Sequence, residues 1–360
     1  MAKLKIYPKR IIDNIRKINE IMEKHKKEWS LVTKVLSGNE PTLKKILNSE
    51  EILRTHSIAD SRISSLKIIK NIDKNIVTMY LKPPAKSFIK SVVKYSDISL
   101  NTEFNTITAL NEEAKSQNKI HKIIIMIELG ELREGVVRHK FLEFYEKVFD
   151  LSNIEVTGLG TNLGCMYGIE PTFDKLIQLC LYKQLIEASF KHDLKLVSGG
   201  SSITLPLLSK GKVPKGVNHF RVGEAVFLGT SPLTNKKFKN QSTNAFEFLA
   251  NIIEFEKKES HPDGVIGSGN VGHAQLPVDE SKKILEYKAL LDFGVIDVNT
   301  DFLTPKNKKV KFLGTTSDLT VYSLGKSSEN YSIGKQIRFR PNYMAVAQLM
   351  NSKFITKEVA

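Results

Sequence analysis

Four segments of this 360-residue chain carry residue types that do chemistry as well as fold. The first is Leu31-Val-Thr-Lys34, an apolar run that ends on a lysine just before the turn-forming Ser37-Gly38-Asn39. A lysine emerging beside an apolar wall gives up its proton more readily and becomes a nucleophile toward aldehydes. The plainer alternative is a lysine that extends to solvent. The second segment is Ser198-Gly-Gly-Ser201-Ser202, whose glycines allow close backbone approach and whose N–H groups and hydroxyls can cradle a phosphate. An ordinary serine cap after a glycine turn reads the same way. Third, Phe220-Arg221-Val-Gly223-Glu224 places an arginine in an apolar run, and Gly223 and Glu224 can offer backbone N–H groups to the same anion. An ion pair between Arg221 and Asp60 is the competing account. Fourth, Arg133 in Glu128–Gly135 can grip a carboxylate with two parallel hydrogen bonds, or pair with Glu131 or Glu134.

These residues need a frame, and the apolar pattern supplies one. Short runs at Leu31–Lys34, Leu53–Ile58, Val77–Leu81, Asp97–Leu100, Ile123–Glu128, Glu155–Leu159, Leu194–Ser198 and Phe220–Val222 predict eight strands. Amphipathic stretches such as Ile63–Lys70 and Phe173–Leu181 predict helices between them. Strands apolar on both faces and alternating with helices point to a parallel sheet, and eight of them to a (β/α)8 barrel of the TIM type. Catalytic groups in that fold come from the carboxyl ends of the strands. Lys34, Asp60, Asn101, Arg133, Asn162, Ser201, Ser202 and Arg221 fall there. We assign residues 1–240 to the barrel with an N-terminal strand and helix, whose strand can join the C-terminal sheet. Residues 241–360 form a mainly-β domain. Within it Phe246–Glu256 reads as a helix, and Val265–Gly272, Leu290–Asp297, Phe312–Asp318 and Ile337–Arg340 read as strands.

Composition sets outer bounds. A hydrophobic share of 41% with 26% charged residues suits a soluble globular chain, and no apolar run reaches membrane-spanning length. The opening Met-Ala-Lys-Leu-Lys lacks a signal-peptide core, which makes the cytoplasm the expected compartment. Cys165 and Cys180 form neither a disulfide framework nor a metal-ligand spacing. The net charge of +15 is spread along helical stretches instead of gathered into a tract, which argues against nucleic acid and remains compatible with an anionic small molecule.

The motifs together resemble one family. Val32-Thr-Lys34-Val with Gly38-Asn39, Ala59-Asp-Ser-Arg-Ile63, Tyr95–Asn101, His121-Lys-Ile-Ile, Leu129–Gly135, Gly160-Thr-Asn-Leu-Gly-Cys165, Ser198-Gly-Gly and Arg221-Val-Gly-Glu224 are similar to the alanine racemase superfamily of pyridoxal-phosphate enzymes. Within it they resemble the ornithine racemase branch. The resemblance implies pyridoxal 5'-phosphate held through Lys34, which is also one catalytic base. It implies Ser201, Ser202, Gly223 and Glu224 around the phosphate, Arg221 at the pyridine nitrogen, Asn162 near the ring, and Arg133 toward the substrate carboxylate. It further implies a homodimer in which the β domain of one subunit closes the barrel of the other.

The chain departs from the alanine racemases at Gly294-Val295-Ile296-Asp297, where they carry Gly-Tyr-x-Asp and use the tyrosine as the second base. Candidates for that base are Asp297, Asp318, Ser317, Tyr343 and His273, with Asp318 first by motif position. Asp297 and Asp318 also suit a substrate with a second positive charge. The expectation is therefore a racemase of a basic amino acid such as ornithine or lysine. A decarboxylase or aldolase-type lyase of the same fold, or a non-enzymatic carrier of the cofactor, are the alternatives.

Overall fold

A computed structural model describes residues 1–234, 236–267, 272–274, 284–326 and 330–360. It divides into two compact units, Lys9–Thr243 and Met1–Pro8 with Asn244–Ala360. The chain opens with β1 (Lys3–Ile6), part of the second unit, and α1 (Pro8–Lys24). Then come β2 (Glu28–Val32), β3 (Ser57–Asp60), β4 (Thr78–Tyr80) and β5 (Ile98–Asn101). β6 (His121–Met126), β7 (Ile154–Gly160), β8 (Leu196–Ser201) and β9 (His219–Val222) follow. Each strand pairs in parallel with the next and β9 returns to β2, so the sheet closes into an eight-stranded barrel. Between the strands lie α2 (Glu40–Leu47), α3 (Ile63–Ile72), α4 (Ile89–Tyr95) and α5 (Phe104–Ser116). The last four are α6 (Phe141–Phe149), α7 (Phe173–Phe190), α8 (Leu205–Ser209) and α9 (Glu224–Phe227). This is the (β/α)8 barrel that the apolar pattern predicts. Val32, Ala59, Met79, Ile98, Leu100, Ile124, Met126 and Leu196 form one continuous buried cluster contributed by six of its strands.

Two local differences bear on the site. The first barrel strand stops at Val32, and Lys34–Leu36 make one 3-10 turn closed by Ser37 in the left-handed region (φ 48°). Lys34 is consequently exposed within its own chain, not walled in at a strand end. The second strand begins at Ser57, because Glu50–Arg54 coil into a 3-10 turn that leaves Leu53 in solvent.

The second unit is a mainly-β sheet built on β10 (Phe246–Glu259). The helix expected at Phe246–Glu256 is therefore a strand. Its amino half pairs with β1 and its carboxyl half with β12, so neighbouring backbone claims hydrogen bonds that a helix would have kept. β11 (His273–Ala274), β12 (Leu285–Leu291), β13 (Leu303–Pro305), β14 (Lys311–Thr315), β15 (Thr320–Gly325) and β16 (Gln336–Pro341) follow. α10 (Tyr343–Asn351) and β17 (Thr356–Val359) close the chain. Residues 268–271 of the strand expected at Val265–Gly272 lie outside the described residues. Phe248, Phe293, Tyr322 and Phe339 meet ring to ring in its core, with centroids 5.0–5.9 Å apart. β1 sits between β10 and β17, which ties the first eight residues to this unit and not to the 1–240 barrel. Alternate burial of Leu4 and Ile6 on that sheet supplies the reason. Among the described residues no helix is long and apolar enough to cross a membrane.

Candidate active site at the carboxyl ends of the barrel strands

Arg221 is the anchor of the barrel mouth. Its residue is 3% exposed, and its guanidinium donates to Thr161 O at 2.8 Å, Asn162 Oδ1 at 2.7 Å, and the hydroxyl of Ser198. All of these acceptors are neutral. Asp60, the ion-pair partner considered from sequence, is turned instead to Thr33 Oγ1 and the Arg62 backbone N–H, both at 2.9 Å. Burial pulls the Arg221 pKa down to about 10, which still leaves the group charged at neutrality. Burial also drives the Asp60 carboxyl up to about 6 against those hydrogen bonds.

From Arg221 the bonding continues outward. Asn162 Nδ2 donates to Glu134, and Glu134 is paired with Arg133 through both carboxylate oxygens. Arg133 is thus brought to the site, but engaged by Glu134, the ion pair that competed with a carboxylate-binding role. The neighbouring Glu131 is not Arg133's partner. It is buried, and its carboxylate accepts backbone N–H groups from Gly164, Cys165, Met166, Tyr167 and Ile169 at 2.5–3.2 Å. Burial by itself would raise its pKa, yet these N–H groups outweigh it and hold the carboxyl below the usual carboxylate range. The loop after β7 is therefore wound around a side chain from the loop after β6. Sequence reasoning missed this clamp. The one available signal was a glutamate between Gly130 and Leu132, both of which adopt positive φ.

Across the mouth, Ser202 is buried and its Oγ accepts N–H groups from Gly223 at 3.3 Å and Ala225 at 3.1 Å. Its own proton is left to donate. Gly200 takes φ +125°, and a Cβ there would stand 2.4 Å from Thr204 Oγ1, so this turn tolerates only glycine. Ser201 stands beside Arg221 in the register of β8 and β9. Glu224 is half-buried; burial lifts its carboxyl to about 7, and the nearby Lys34 charge opposes the rise. Lys34, Ser202, Gly223 and Glu224 therefore share one corner of the mouth. A cavity of about 680 Å³ opens elsewhere, lined by Glu28, His56, His121 and Asn218 at the starts of the strands, and it contains none of these residues.

In the second unit the Gly294–Asp297 and Ser317–Asp318 turns lie against each other. A Cβ on Gly294 would sit 2.3 Å from Asp318 N, and Ile296 N donates to Ser317 O at 3.0 Å. Asp297 is spent on this turn, accepting from Gly294 N at 3.4 Å and from Ser352 Oγ at 2.8 Å. That geometry counts against the substrate-binding role expected for it. Asp318 is exposed and accepts from Ser317 Oγ at 3.0 Å.

Residues 6–231 match the family described as the alanine racemase N-terminal domain. The chain belongs to that family. It is 35% identical to an ornithine racemase of Acetoanaerobium sticklandii over 98% of this chain and 100% of that one. It is 30% identical to a lysine racemase of Thermotoga maritima over 99% of this chain and 97% of that one. An alanine racemase structure from Streptomyces coelicolor A3(2) shares the fold, with a TM-score of 0.76 at 12% identity over 99% and 97% of the two chains.

Proposed function

We propose that the chain is a pyridoxal-phosphate-dependent racemase of a basic amino acid such as ornithine or lysine. The observation that carries this reading is Arg221, a buried guanidinium held entirely by neutral acceptors. Such an arginine can face a ring nitrogen without surrendering a proton to it. The donor set fits the cofactor in other respects. Ser202, whose proton is left to donate, flanked by Ser201 and Glu224, suits a phosphate, and the exposed Lys34 beside Glu224 suits a reactive aldehyde. Bound there, pyridoxal phosphate would supply the electron-withdrawing ring that acidifies the substrate Cα–H.

The protein's own groups do the rest. Lys34 would exchange the Cα proton on one face. Glu224, whose carboxyl burial lifts to about 7, gives up its proton less readily than an ordinary glutamate, which limits its repulsion of a phosphate. Arg221 stays protonated and would give no proton to a ring nitrogen facing it, which would limit how much negative charge the ring could draw off. Asn162 fixes Arg221 and links it to Glu134 and Arg133, and a substrate carboxylate would meet Arg133 at Nη1, the nitrogen that Glu134 leaves open. Asp318, exposed at its turn, is our choice for the base on the opposite face. The same reading takes the enzyme as a cytoplasmic homodimer. Identities of 35% and 30% over nearly full length to an ornithine and a lysine racemase support the substrate class.

The test is incubation of cofactor-loaded protein with L-ornithine, L-lysine, L-arginine, L-alanine and L-glutamate in D2O, followed by enantiomer separation and mass analysis. We expect the D-enantiomers of the basic substrates, carrying one deuterium at Cα, and little or nothing from glutamate. Release of an amine with carbon dioxide would replace the racemase reading with a lyase.

A further inference from the structure

β8 and β9 are out of even step. Ser198 stands opposite His219 and Ser201 opposite Arg221, so β8 spends one residue more than β9 over this stretch. Such a bulge re-aims a side chain. Here it sets Ser198 against His219 and Arg221, the two residues of β9 that share a face. Ser198 Oγ accepts from Arg221 Nη1 and lies 2.8 Å from His219 Nδ1. The chain continues from His219 Nε2 to Ser30 Oγ at 2.9 Å, to Ser57 Oγ at 2.7 Å, and to His56 Nδ1 at 3.3 Å. Every member except His56 is buried.

The direction of this chain follows from its upper end. A guanidinium has only donors, so Ser198 Oγ must accept from Arg221. The Ser198 proton then needs an acceptor on its other side, and Nδ1 of His219 provides one. His219 therefore carries its proton on Nε2 and donates to Ser30, whose own proton has Ser57 Oγ or Met79 Sδ to go to. The opposite tautomer would aim Nδ1–H at an oxygen already receiving Arg221. It would leave a fully buried hydroxyl proton with no acceptor among the described residues, and it would turn the positive end of the imidazole dipole toward the guanidinium.

We propose that His219, held as its Nε2–H tautomer, is a positioning residue for Arg221: acting through Ser198, it fixes how the guanidinium is presented. The catalytic meaning rests on the racemase reading, whereas the geometry does not. With Ser198 engaged by His219, the Arg221 fork is directed at Thr161, Asn162 and whatever ring nitrogen approaches. Without it, Ser198 can rotate and Arg221 loses its hydroxyl acceptor, keeping Thr161 O, Asn162 Oδ1 and the more distant Ser198 carbonyl at 3.5 Å.

Two measurements on the full-length protein test this. Ring 15N shifts of histidine-labelled protein, without cofactor, should show the His219 ring as a pH-insensitive Nε2–H tautomer, told apart from the likewise buried His121 by its loss in His219→Gln or His219→Asn. An Nδ1–H tautomer or a cationic ring at His219 overturns the proposal. Variants give the second arm. His219→Asn keeps an acceptor near the place of Nδ1, His219→Gln keeps a donor near Nε2, and Ser198→Ala cuts the link. Exchange of the Arg221 side-chain N–H groups should quicken about tenfold in His219→Gln and Ser198→Ala, the scale of one neutral hydrogen bond, and less in His219→Asn. In cofactor-loaded protein, kcat should fall in the same order with KM little changed. Equal behaviour of the Asn and Gln variants would refute the proposal. The predicted tautomer and exchange order without any racemisation would instead uphold the positioning geometry and remove the racemase reading.

Discussion

Replacing Glu131 by glutamine tests the loop clamp at the barrel mouth, and its cost can be worked from the bonds. Oε1 receives N–H groups from Cys165, Met166 and Tyr167, and Oε2 receives those of Gly164 and Ile169. Glutamine retains a single oxygen. In its better orientation that oxygen keeps the first three donors, while the amide NH2 confronts Gly164 N–H and Ile169 N–H, donor against donor. Two backbone donors lose their acceptor, at about 1–3 kcal/mol each. They are only part-buried and can turn to water, so about 2–3 kcal/mol is the reasonable total. The loss should fall on the loop, because its anchor is removed while the β6–β7 ladder remains. Hydrogen exchange followed by mass spectrometry reads this directly. A peptide covering residues 162–170 should lose protection by about 30- to 150-fold, the ratio corresponding to 2–3 kcal/mol. A peptide from His121–Met126 should be unchanged. Acid should imitate the substitution. The folded-state pKa of Glu131 is depressed, so its contribution is complete above the unfolded value of about 4.3 and disappears as pH falls through the folded one. Wild-type protection in Glu131→Gln would show that the loop is held by something else and that the clamp is incidental.

Other outcomes follow from the same geometry. Lys34→Ala should abolish covalent retention of pyridoxal phosphate and racemisation together, and borohydride reduction with peptide mapping should label Lys34 in the wild type; a label on another lysine would refute the assignment. Asp318→Asn should lower racemisation by about 10²–10⁴-fold, the usual contribution of a general base, while Cα–deuterium exchange survives for the one enantiomer served by Lys34. Retention of full racemisation would disqualify Asp318. The Asp60 pKa is raised from 3.8 to about 6, so this group favours folding most below 3.8, and that advantage is lost as pH rises through 6. Denaturant titrations should show Asp60→Asn gaining stability on the wild type between those values, by at most about 3 kcal/mol for two pKa units. A pH-independent difference would mean that Asp60 is not the group that titrates.

Much of the fold was legible because its physics is local. Ile123–Met126 is an uninterrupted apolar strand, and parallel sheets covered on both faces produce such runs. Ser198-Gly-Gly and Arg221-Val-Gly could be placed at strand ends because glycine and arginine have few reasons to stand in an apolar run. Phe246–Glu259 misled for the complementary reason: its residues suit either state, and only its strand partners settled the matter. Lys34 was found by type and motif, but the expected burial was wrong, since a single 3-10 turn rotates it into solvent.

The sequence by itself determined the barrel, the order of its strands, and the cations and small donors at their carboxyl ends, all of which depend on neighbours close in the chain. Tertiary structure alone decided what each of those groups touches. Glu131 could have paired with Arg133 two residues away, but it closes on a loop more than thirty residues later. Arg221 could have taken a carboxylate, but the strands around it offer carbonyls, an amide and a hydroxyl. Asp297 and Asp318 are both motif carboxylates in the sequence, yet folding commits one to Ser352 and leaves the other in solvent. Partner choice is a property of distance in space. Spacing along the chain does not encode it once a residue has several chemically equal partners.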